Sequence, residues 1–295
     1  MGNLGEFINV STYPLSGNLS SLPILNLANY GPGFPTDNKG GWWPPGKTDS
    51  LGSLLKYLNN PQPSITLPQN QPGTCYSYSN FGWGLLALAA LGVSSASDHV
   101  LAEWASAISA LGGAAGLKNT QPYESSILSS LPVGYTNGTM MPPGAHYGLS
   151  SMIFGAGDLV STGDDMLNWL SYNMGRAGAD NPMFREQQCR VWEWPKQCPP
   201  QPAHPVPVVS LAWFVHDVNT TDQRFLAKDG GLTGFTSWMG FLEWAATGVE
   251  SPVGAFVLTN TANAASLGMH IMHLLLAVPA PPDLDVEAHA VTPEP

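Results

Sequence analysis

The spacing of apolar residues along this chain changes from a helical period to a strand-like pattern near residue 207. Before that point, apolar residues recur at helical spacing, which predicts amphipathic helices over residues 22–30, 50–58, 98–111 and 163–174. Beyond it, apolar runs between turn residues predict an antiparallel meander, with strands over residues 211–218, 224–228, 236–244 and 253–259. A last apolar stretch, residues 267–278, predicts a closing helix packed on that sheet.

The most apolar helix prediction covers residues 81–92 and follows a short polar loop. Pro72 and Gly73 predict a turn before the loop, and Gly92 is typical of the residue that ends a helix. We expect Asn80 to cap the start of this helix, with Tyr78 on the loop beside it. A polar loop held by a buried helix keeps its geometry while it faces a cleft, so this stretch is the first candidate for a functional site.

Taken together, the predicted elements indicate an α+β protein, an α/β sandwich in which helices flank an antiparallel sheet beside a mostly helical, loop-rich subdomain. We predict a single domain over residues 1–278, with a helical, loop-rich region at 1–206 and the sheet with its closing helix at 207–278. A hydrophobic content of 43% is enough for a sizeable core. The Pro-rich, acidic segment 279–295 is predicted to be a disordered tail.

Charge and the length of the apolar runs limit the partners. The formal net charge is -11 at pH 7, and nucleic acids and anionic membranes are bound by Lys/Arg patches, so neither is an expected partner. The longest apolar runs, residues 81–92 and 267–278, fall short of the ~20 residues that a membrane-spanning helix needs. Residues 1–6 lack the basic and then apolar pattern of a signal peptide.

The cysteines and the paired histidines do not form a convincing metal motif. Cys75, Cys189 and Cys198 have no histidine at a metal-ligand spacing. Cys189 and Cys198 flank a Trp/Pro-rich loop; a disulfide between them in an exported protein and two free thiols are both open interpretations. His270 and His273 lie three positions apart on a predicted helix without a third ligand, which is more typical of a polar helix face. We therefore predict no metal and no cofactor.

Two motifs, in this order along the chain, carry a resemblance to a known family. The first is Pro-Gly-Thr-Cys-Tyr-Ser-Tyr-Ser-Asn at residues 72–80, and the second is Lys-Asp-Gly-Gly at residues 228–231, ahead of an aromatic strand. Together they resemble the serine beta-lactamase and penicillin-binding-protein superfamily, in its class C beta-lactamase, esterase and D-Ala-D-Ala carboxypeptidase branch. The resemblance implies a beta-lactamase/transpeptidase-like fold and a periplasmic or secreted location. It also implies a serine hydrolase whose partner is a small-molecule or peptide substrate: a D-Ala peptide, a beta-lactam or a small ester.

The resemblance also assigns roles to residues of both motifs. Tyr78 would be a proton shuttle, Asn80 would hydrogen-bond the substrate amide, and Lys228 would supply positive charge at the site. The strand after Lys228 would bind the substrate as an added β-strand, with the backbone N–H of Gly231 as one half of an oxyanion hole. The expected substrate-binding residues are Asp229, Gly230 and Gly231. We expect Tyr78 and Lys228 to face each other across a common groove.

Asp229 departs from the family pattern, which usually has threonine between the lysine and the glycine. Its carboxylate would repel a substrate carboxylate unless Lys228 neutralises it or it points away from the substrate. The departure argues against beta-lactam hydrolysis and favours a small ester or a neutral amide.

The nucleophile that the resemblance requires, a serine followed three residues later by a lysine, occurs once, as Ser53 and Lys56. Leu51, Leu54 and Leu58 form an apolar face at helical spacing, which turns that pair toward water. A catalytic pair needs a buried helix start, where desolvation lowers the pKa of the lysine, so we interpret Ser53 as a coincidental match. The family places its nucleophile upstream of the segment matched by residues 22–30, and we expect this chain to be N-terminally incomplete.

Three functional hypotheses follow from the residues. The first is a serine hydrolase of the beta-lactamase-related family whose nucleophile-bearing segment is missing from this chain. The second is a catalytically inactive relative that binds peptide or peptidoglycan-like ligands. The third, an active site rebuilt on Ser53, is the weakest. An α/β-hydrolase is disfavoured because the chain has no Gly-x-Ser-x-Gly motif.

Overall fold

The computed structural model describes residues 2–34, 50–59, 67–94, 99–123, 125–141, 154–157, 159–175, 190–199, 205–217, 224–232, 234–242 and 253–276. The chain divides into two compact units. The first comprises Met1–Ala110, Gly148–Asp158 and Trp192–Pro207, and the second comprises Leu111–Tyr147, Leu159–Val191 and Val208–Pro295. Both units are assembled from separate stretches of the chain. The predicted single domain with a division after residue 206 stays a prediction.

The helices of the described residues are α1 (Leu4–Phe7), α2 (Gly17–Ser20), α3 (Ile24–Ala28), α4 (Leu51–Asn59), α5 (Asn80–Leu91), α6 (Val100–Ala115), α7 (Gly163–Asn173) and α8 (Ala264–Leu275). Two short 3-10 helices cover Ser125–Ser130 and Phe154–Ala156. The predicted helices at 22–30, 50–58, 163–174 and 267–278 correspond to α3, α4, α7 and α8. The helix predicted from residue 98 corresponds to α6, which continues to Ala115, while residue 98 itself lies outside the described residues.

The strands are β1 (Gln121–Pro122), β2 (Tyr135–Thr136), β3 (Thr139–Met140), β4 (Leu159–Val160), β5 (Trp192–Glu193), β6 (Val208–Val209), β7 (Phe214–Asp217), β8 (Arg224–Leu232), β9 (Phe235–Leu242) and β10 (Gly254–Thr259). In the second unit, β10, β9, β8, β7 and β6 lie side by side in that order. Neighbouring strands of this set are antiparallel, which confirms the predicted meander.

Helix α5 begins and ends as its sequence indicates, with one correction at its start. The hydroxyl of Ser79 accepts a hydrogen bond from the backbone N–H of Gly82, so Ser79 is the N-cap. The prediction that Asn80 caps the helix is wrong, because Asn80 is already the first helical residue. At the other end, Gly92 adopts a left-handed conformation with φ of 66°, which glycine reaches without steric cost.

The core of the first unit forms around α5 because this helix is apolar on nearly every side. Phe81, Leu85 and Leu88 are almost completely buried. They pack with the apolar face of α4 and with the N-terminal helices, and the cluster includes Leu4, Ile8, Leu19, Leu22, Leu27, Phe34, Leu51, Leu54, Leu55 and Leu58. This burial fixes the amino end of α5, where the motif at residues 72–80, named here the tyrosine motif, lies.

The sheet of the second unit places the motif at residues 228–231, named here the lysine motif, inside a strand. Strand β8 pairs with β9 from Phe225 to Leu232, with Lys228 opposite Met239. The continuous pairing excludes a glycine turn at residues 228–231. The hairpin closes after Leu232, and Gly234 has a φ of 81°, again a conformation suited to glycine.

Alternate residues of β8 contribute to two hydrophobic clusters, as expected for a strand with helices on both faces. Phe225 and Ala227 belong to a cluster on the α8 side, with Trp238, Leu242, Val257, Ala264, Met269 and Met272. Leu226 belongs to a cluster on the α7 side, with Leu170, Met174, Val215, Met239 and Phe241. Gly268 permits close packing of α8, since a Cβ atom there would lie 2.2 Å from the indole of Trp238.

The expectation of a polar helix face at both histidines of α8 is wrong for one of them. His273 is 5% exposed and packs edge-on against Phe225, with ring centroids 6.1 Å apart. His270 is exposed, and its Nδ1 atom lies 2.7 Å from the backbone oxygen of Ser266. Within the described ranges, three or more metal-ligating side chains do not come together anywhere, and no helix is long and apolar enough to cross a membrane.

Candidate active site

Tyr78 and Asn80 lie at the amino end of α5 in the first unit. Both side chains are partly exposed, although the core surrounds the helix behind them. The serines on either side of Tyr78 are buried: Ser77 is 0% exposed, and Ser79 is 2% exposed with its hydroxyl used as the helix cap. Between residues 77 and 80, therefore, the partly exposed polar groups are the phenol of Tyr78 and the carboxamide of Asn80, and neither serine is accessible for acylation.

An aromatic cluster positions the ring of Tyr78. Tyr30 stacks on it with ring centroids 5.8 Å apart and an interplanar angle of 20°. Tyr30 also contacts Tyr76 at 5.8 Å and meets Trp83 edge-on at 5.5 Å. Aromatic pairs at these distances stabilise a protein by about 0.5–1.5 kcal/mol each, beyond the contribution of the apolar area that they bury. Tyr30 is 1% exposed and has a φ of 61°, which is uncommon for a residue other than glycine.

A distant segment, residues 194–198, pairs with the tyrosine motif. The backbone N–H of Tyr76 donates to the carbonyl of Lys196 at 2.9 Å, and the N–H of Cys198 donates to the carbonyl of Tyr76 at 2.8 Å. These bonds form a parallel bridge between Tyr76 and Gln197. The predicted loop-rich region at 1–206 therefore includes a segment, residues 194–198, that contacts the candidate site.

A disulfide joins Cys75 to Cys198 beside this bridge, with their Cα atoms 5.1 Å apart. This bond corrects both interpretations of Cys198 drawn from the sequence, since Cys198 is neither paired with Cys189 nor a free thiol. Cys189 itself lies outside the described residues. The sequence separation of 123 explains the error, because the local pairing was judged from proximity along the chain and the observed one depends on the fold.

In the second unit, the ammonium group of Lys228 is paired with the residue that follows it. Its Nζ atom lies 3.2 Å from Oδ1 of Asp229 and also donates to the backbone carbonyl of Asp229. The same ammonium lies 5.4 Å from the ring centroid of Phe214, within range of a cation–π interaction. The side chains of Lys228 and Asp229 keep 27% and 23% of their surface exposed. Lys228 therefore neutralises the carboxylate that the sequence identified as a departure from the family.

The glycines after this ion pair allow β8 to lie close to side chains of β9. A Cβ atom on Gly230 would lie 2.6 Å from the hydroxyl oxygen of Ser237, its partner on β9. Gly231 is paired with Thr236. On the other side of β8, the register with β7 runs from Arg224 to Ala227, so the motif begins where that register ends. The predicted edge-on binding of a substrate would use this part of β8.

His216 contributes to the electrostatics around the ion pair. Its ring stacks on Phe225, with centroids 4.8 Å apart and an interplanar angle of 15°. Burial lowers the pKa of His216 to about 4, and the charge of His273 acts in the same direction, while the carboxylates of Asp217 and Asp229 oppose both effects. His216 is therefore neutral near pH 7, and its stacking on Phe225 places it beside the cluster on the α8 side of the sheet. Sequence reasoning did not identify His216.

Ser53 and Lys56 lie on the outward side of α4, as predicted. The hydroxyl of Ser50 donates to the hydroxyl of Ser53 at 2.9 Å. Lys56 is exposed, and its Nζ atom lies 5.4 Å from the ring centroid of Tyr13. The two side chains are thus engaged with different neighbours, so Lys56 is not arranged to remove the proton of Ser53.

Another buried acid has a structural role in the second unit. Asp165 is 2% exposed and accepts hydrogen bonds from the backbone N–H groups of Lys118 and Asn119 and from the hydroxyl of Thr120. Desolvation raises its pKa, but these hydrogen bonds outweigh it and hold the pKa of Asp165 below the ordinary value. With its acceptor positions occupied by the chain, Asp165 holds residues 118–120 against α7.

Comparison with known proteins gives the family. The model of the Beta-lactamase family matches residues 14–278. The chain belongs to the beta-lactamase family. A search of curated proteins found no match.

Solved structures with the same fold share little sequence with this beta-lactamase family member. An octameric penicillin-binding protein homologue from Pyrococcus abyssi superposes with a TM-score of 0.64 at 14% identity, over 94% of this chain and 60% of that chain. A class C beta-lactamase gives a TM-score of 0.65 at 18% identity, over 92% of this chain and 74% of that chain. The D-amino acid amidase from Ochrobactrum anthropi SV3, in complex with L-phenylalanine amide, gives a TM-score of 0.57 at 19% identity, over 88% of this chain and 70% of that chain. This chain therefore spans between three-fifths and three-quarters of the length of these proteins.

Proposed function

We propose that this chain carries the proton-transfer and substrate-binding residues of a serine hydrolase that transfers acyl groups from neutral amides or small esters. Tyr78 shuttles the proton, Asn80 hydrogen-bonds the substrate amide, and Lys228 supplies the positive charge that orients it. Asp229, Gly230 and Gly231 bind the substrate along β8, and the N–H of Gly231 stabilises the oxyanion. Family membership and the positions of both motifs on ordered elements support this assignment.

The observation that carries the substrate class is the ion pair between Lys228 and Asp229. A lysine whose charge is balanced by its neighbour attracts a substrate carboxylate weakly, because the carboxylate of Asp229 repels it at nearly the same distance. Binding of a neutral substrate loses nothing from this compensation. The complex of the Ochrobactrum anthropi amidase with L-phenylalanine amide is an example of a ligand without a carboxylate bound by a protein of this fold.

Ser53 is not the nucleophile in this proposal. Its hydroxyl is hydrogen-bonded to the hydroxyl of Ser50, and the exposed ammonium group of Lys56 lies over the ring of Tyr13. Ser77 and Ser79 are excluded by burial. The acylated serine is thus a residue of the natural protein other than these three.

The disulfide supports a periplasmic or secreted location. Disulfides between distant cysteines persist in oxidising compartments and are rare in a reducing cytosol. Cys75 and Cys198 are joined across 123 positions of sequence, which is typical of an exported protein.

The test uses the natural protein that carries this chain and two kinds of substrate, p-nitrophenyl acetate with a D-amino acid anilide on one side and a chromogenic cephalosporin on the other. We expect higher kcat/KM for the neutral substrates and labelling of a single serine by a fluorophosphonate, mapped by mass spectrometry. Tyr78→Phe and Lys228→Ala should each lower kcat/KM by about 10²-fold or more, the usual range for a lost proton-transfer or charge-stabilising group. Ser53→Ala is the matched control and should leave the rate unchanged.

Two results would contradict the proposal. Faster turnover of the cephalosporin than of the ester and the anilide would reject the neutral substrate class. An absence of labelling and of turnover, together with calorimetric binding of a D-Ala-D-Ala peptide, would favour the non-catalytic binding module instead.

A further inference from the structure

The segment Trp194 to Cys198, which we name the strap, contacts two parts of the first unit: the tyrosine motif and the turn at Tyr30. On one side it forms the parallel bridge to Tyr76 through Lys196 and Cys198. The disulfide to Cys75 adds a covalent bond at the same place. The strap is therefore attached to the residues that immediately precede Tyr78, by two backbone hydrogen bonds and one covalent bond.

On the other side the strap contacts the residues that flank Tyr30. The indole N–H of Trp194 donates to the backbone carbonyl of Asn29 at 3.0 Å. The indole ring lies directly on Gly31, since a Cβ atom at Gly31 would be 2.5 Å from Cζ2 and Cη2 of Trp194. The side chain of Asn29, which is 1% exposed, accepts a hydrogen bond from the N–H of Gly31 at 3.2 Å. Trp194 thus holds the short turn in which Tyr30 has its positive φ.

The two sides meet at Tyr78. The carbonyl of Tyr30 accepts a hydrogen bond from the N–H of Ser77 at 2.7 Å, and the ring of Tyr30 stacks on the ring of Tyr78. The turn at Tyr30 and the loop at Tyr76 are consequently joined to each other directly and also through the strap. A ring held in this way has fewer accessible orientations than one on a loop that is attached only at its ends.

We propose that the strap, through Trp194 and the Cys75–Cys198 disulfide, is the positioning element for the phenol of Tyr78. Trp194 and Cys198 touch neither the substrate nor the reacting atoms in this proposal. Trp194 fixes the position of the turn that carries Tyr30, and the disulfide fixes the position of the loop that carries Tyr76. Because Tyr30 stacks on Tyr78, both restraints limit the orientation of the phenol. The proposal rests on the role of Tyr78 in the proposed function, but its central statement concerns the orientation of a side chain and can be tested without turnover.

The primary experiment is ¹⁹F NMR of the protein labelled with 3-fluorotyrosine. The chain has 9 tyrosines, and the Tyr78 signal is identified as the one that disappears in Tyr78→Phe. We expect Trp194→Ala to shift and broaden that signal. Trp194→Phe, which keeps a ring on Gly31 but lacks the N–H, should shift it less. Dithiothreitol, which reduces the disulfide to two thiols and is itself oxidised to its cyclic disulfide, should also shift the signal of the otherwise unchanged protein.

Lys196→Ala is the matched control within the strap. The side chain of Lys196 is exposed, and only its backbone carbonyl takes part in the bridge, so this variant should leave the Tyr78 signal in place. A thermal melt of each sample shows whether it is folded. If Trp194→Ala does not fold, Trp194→Phe and the reduced protein decide the question. An unchanged Tyr78 signal in folded protein after the Trp194 substitution and after reduction overturns the proposal.

Kinetics separate positioning from a merely structural role. In an active preparation, Trp194→Ala and reduction should each lower kcat by about 10- to 100-fold with little change in KM, since small displacements of a catalytic group have effects of this size. Failure of the proposed function looks different: no substrate is turned over, while the Tyr78 signal still responds to the strap. A normal kcat in a folded protein with a shifted Tyr78 signal would reject the catalytic consequence of the positioning.

Discussion

The tyrosine motif of the first unit and the lysine motif of the second are held by different kinds of contact. Tyr78 is held by groups that are distant in sequence: the ring of Tyr30, the strap and the disulfide at Cys75. Lys228 is held by its own neighbour, Asp229, and by pairing of β8 with the strand that follows in the chain. The first arrangement is long-range, whereas the second is local and depends on strand register.

This difference indicates that the two motifs respond to different perturbations. Long-range contacts are lost when a cross-link or a tight turn is broken, because nothing nearby in sequence replaces them. A strand held by a ladder of hydrogen bonds keeps its pairing when a side chain changes, because the backbone makes those bonds. Each variant below perturbs one of the two units, so that their responses can be compared.

The largest effect is expected from removal of the cross-link. The double variant Cys75→Ser with Cys198→Ser should lower the free energy of unfolding by about 4 kcal/mol, because the bond closes a long loop. Urea unfolding in the absence of reductant measures this change. Cys189→Ser is the control and should have a small effect, and a loss from Cys189→Ser as large as from the double variant would contradict the assigned pairing.

The second effect compares one glycine of each motif region. Gly33→Ala should destabilise the first unit by roughly 2–4 kcal/mol, because Gly33 has a φ of 72° and its Cβ would lie 2.2 Å from the backbone oxygen of Asn70. Gly230→Ala in β8 should cost about 1 kcal/mol, since the Ser237 hydroxyl that it meets can rotate away. Thermal melts of both variants measure the contrast. Adding Ser237→Ala should restore stability to Gly230→Ala, and equal losses at the two glycines would refute the distinction.

The third effect is a pH dependence of the second unit. Because the pKa of His216 is lowered to about 4, protonation below pH 6.5 favours the unfolded state, in which the ring has its ordinary pKa. The free energy of unfolding should therefore fall by roughly 2–3 kcal/mol as the pH drops from 6.5 to 4, with no contribution from His216 above that window. Burial lowers the pKa of His273 as well, so it adds to the loss in the same direction.

Urea unfolding at pH 7 and at pH 4.5 measures this dependence. His216→Phe keeps the stacking on Phe225 and should flatten the response. Asp217→Asn removes an attraction that raises the pKa of His216, so in this variant the fall in stability should continue further below pH 4, which an added measurement at pH 3.5 detects. A response in His216→Phe equal to that of the wild type would assign the acid sensitivity to other groups.

The smallest effect on stability is expected at the ion pair itself. Asp229→Asn should change the free energy of unfolding by less than about 1 kcal/mol, since both side chains keep solvent exposure. The functional effect is larger: with Lys228 no longer neutralised, kcat/KM for an anionic substrate relative to a neutral one should rise about three- to tenfold. Asp217→Asn in the same sheet is the control, and an unchanged ratio in Asp229→Asn would remove the electrostatic basis of the proposed substrate class.

Much of the fold was predictable because helix and strand periods reflect which face of each element is buried. The apolar run at residues 81–92 predicted α5 and its glycine end, and alternation beyond residue 207 predicted the antiparallel order. The cap at Ser79 was missed by one residue, a usual error where several polar residues precede a helix. Strand β8 extends past its predicted end because pairing with β9 overrides the low strand preference of Gly230 and Gly231.

The residues of the candidate site also fall into two groups, those that the sequence indicates and those that only the structure shows. Tyr78, Asn80 and Lys228 are recognisable from the sequence because short motifs encode them, and their chemical roles in this chain stay predictions. Tyr30, Trp194 and the partner of Cys75 carried no signal strong enough to be found, although Cys75 lies within the motif itself. The departure at Asp229 is visible in the sequence, but only the structure shows that Lys228 neutralises it.

The sequence by itself determined the period of each element, the two motifs and hence the family, since these depend on neighbouring residues and on the burial of one face. Only the tertiary structure decided which cysteine Cys198 meets, which ring stacks on Tyr78 and where the charge of Lys228 goes. Such contacts depend on residues far apart in sequence or on the path of one flexible side chain. Local patterns record which surfaces are buried, whereas the partner of each buried or charged group is chosen when the chain packs.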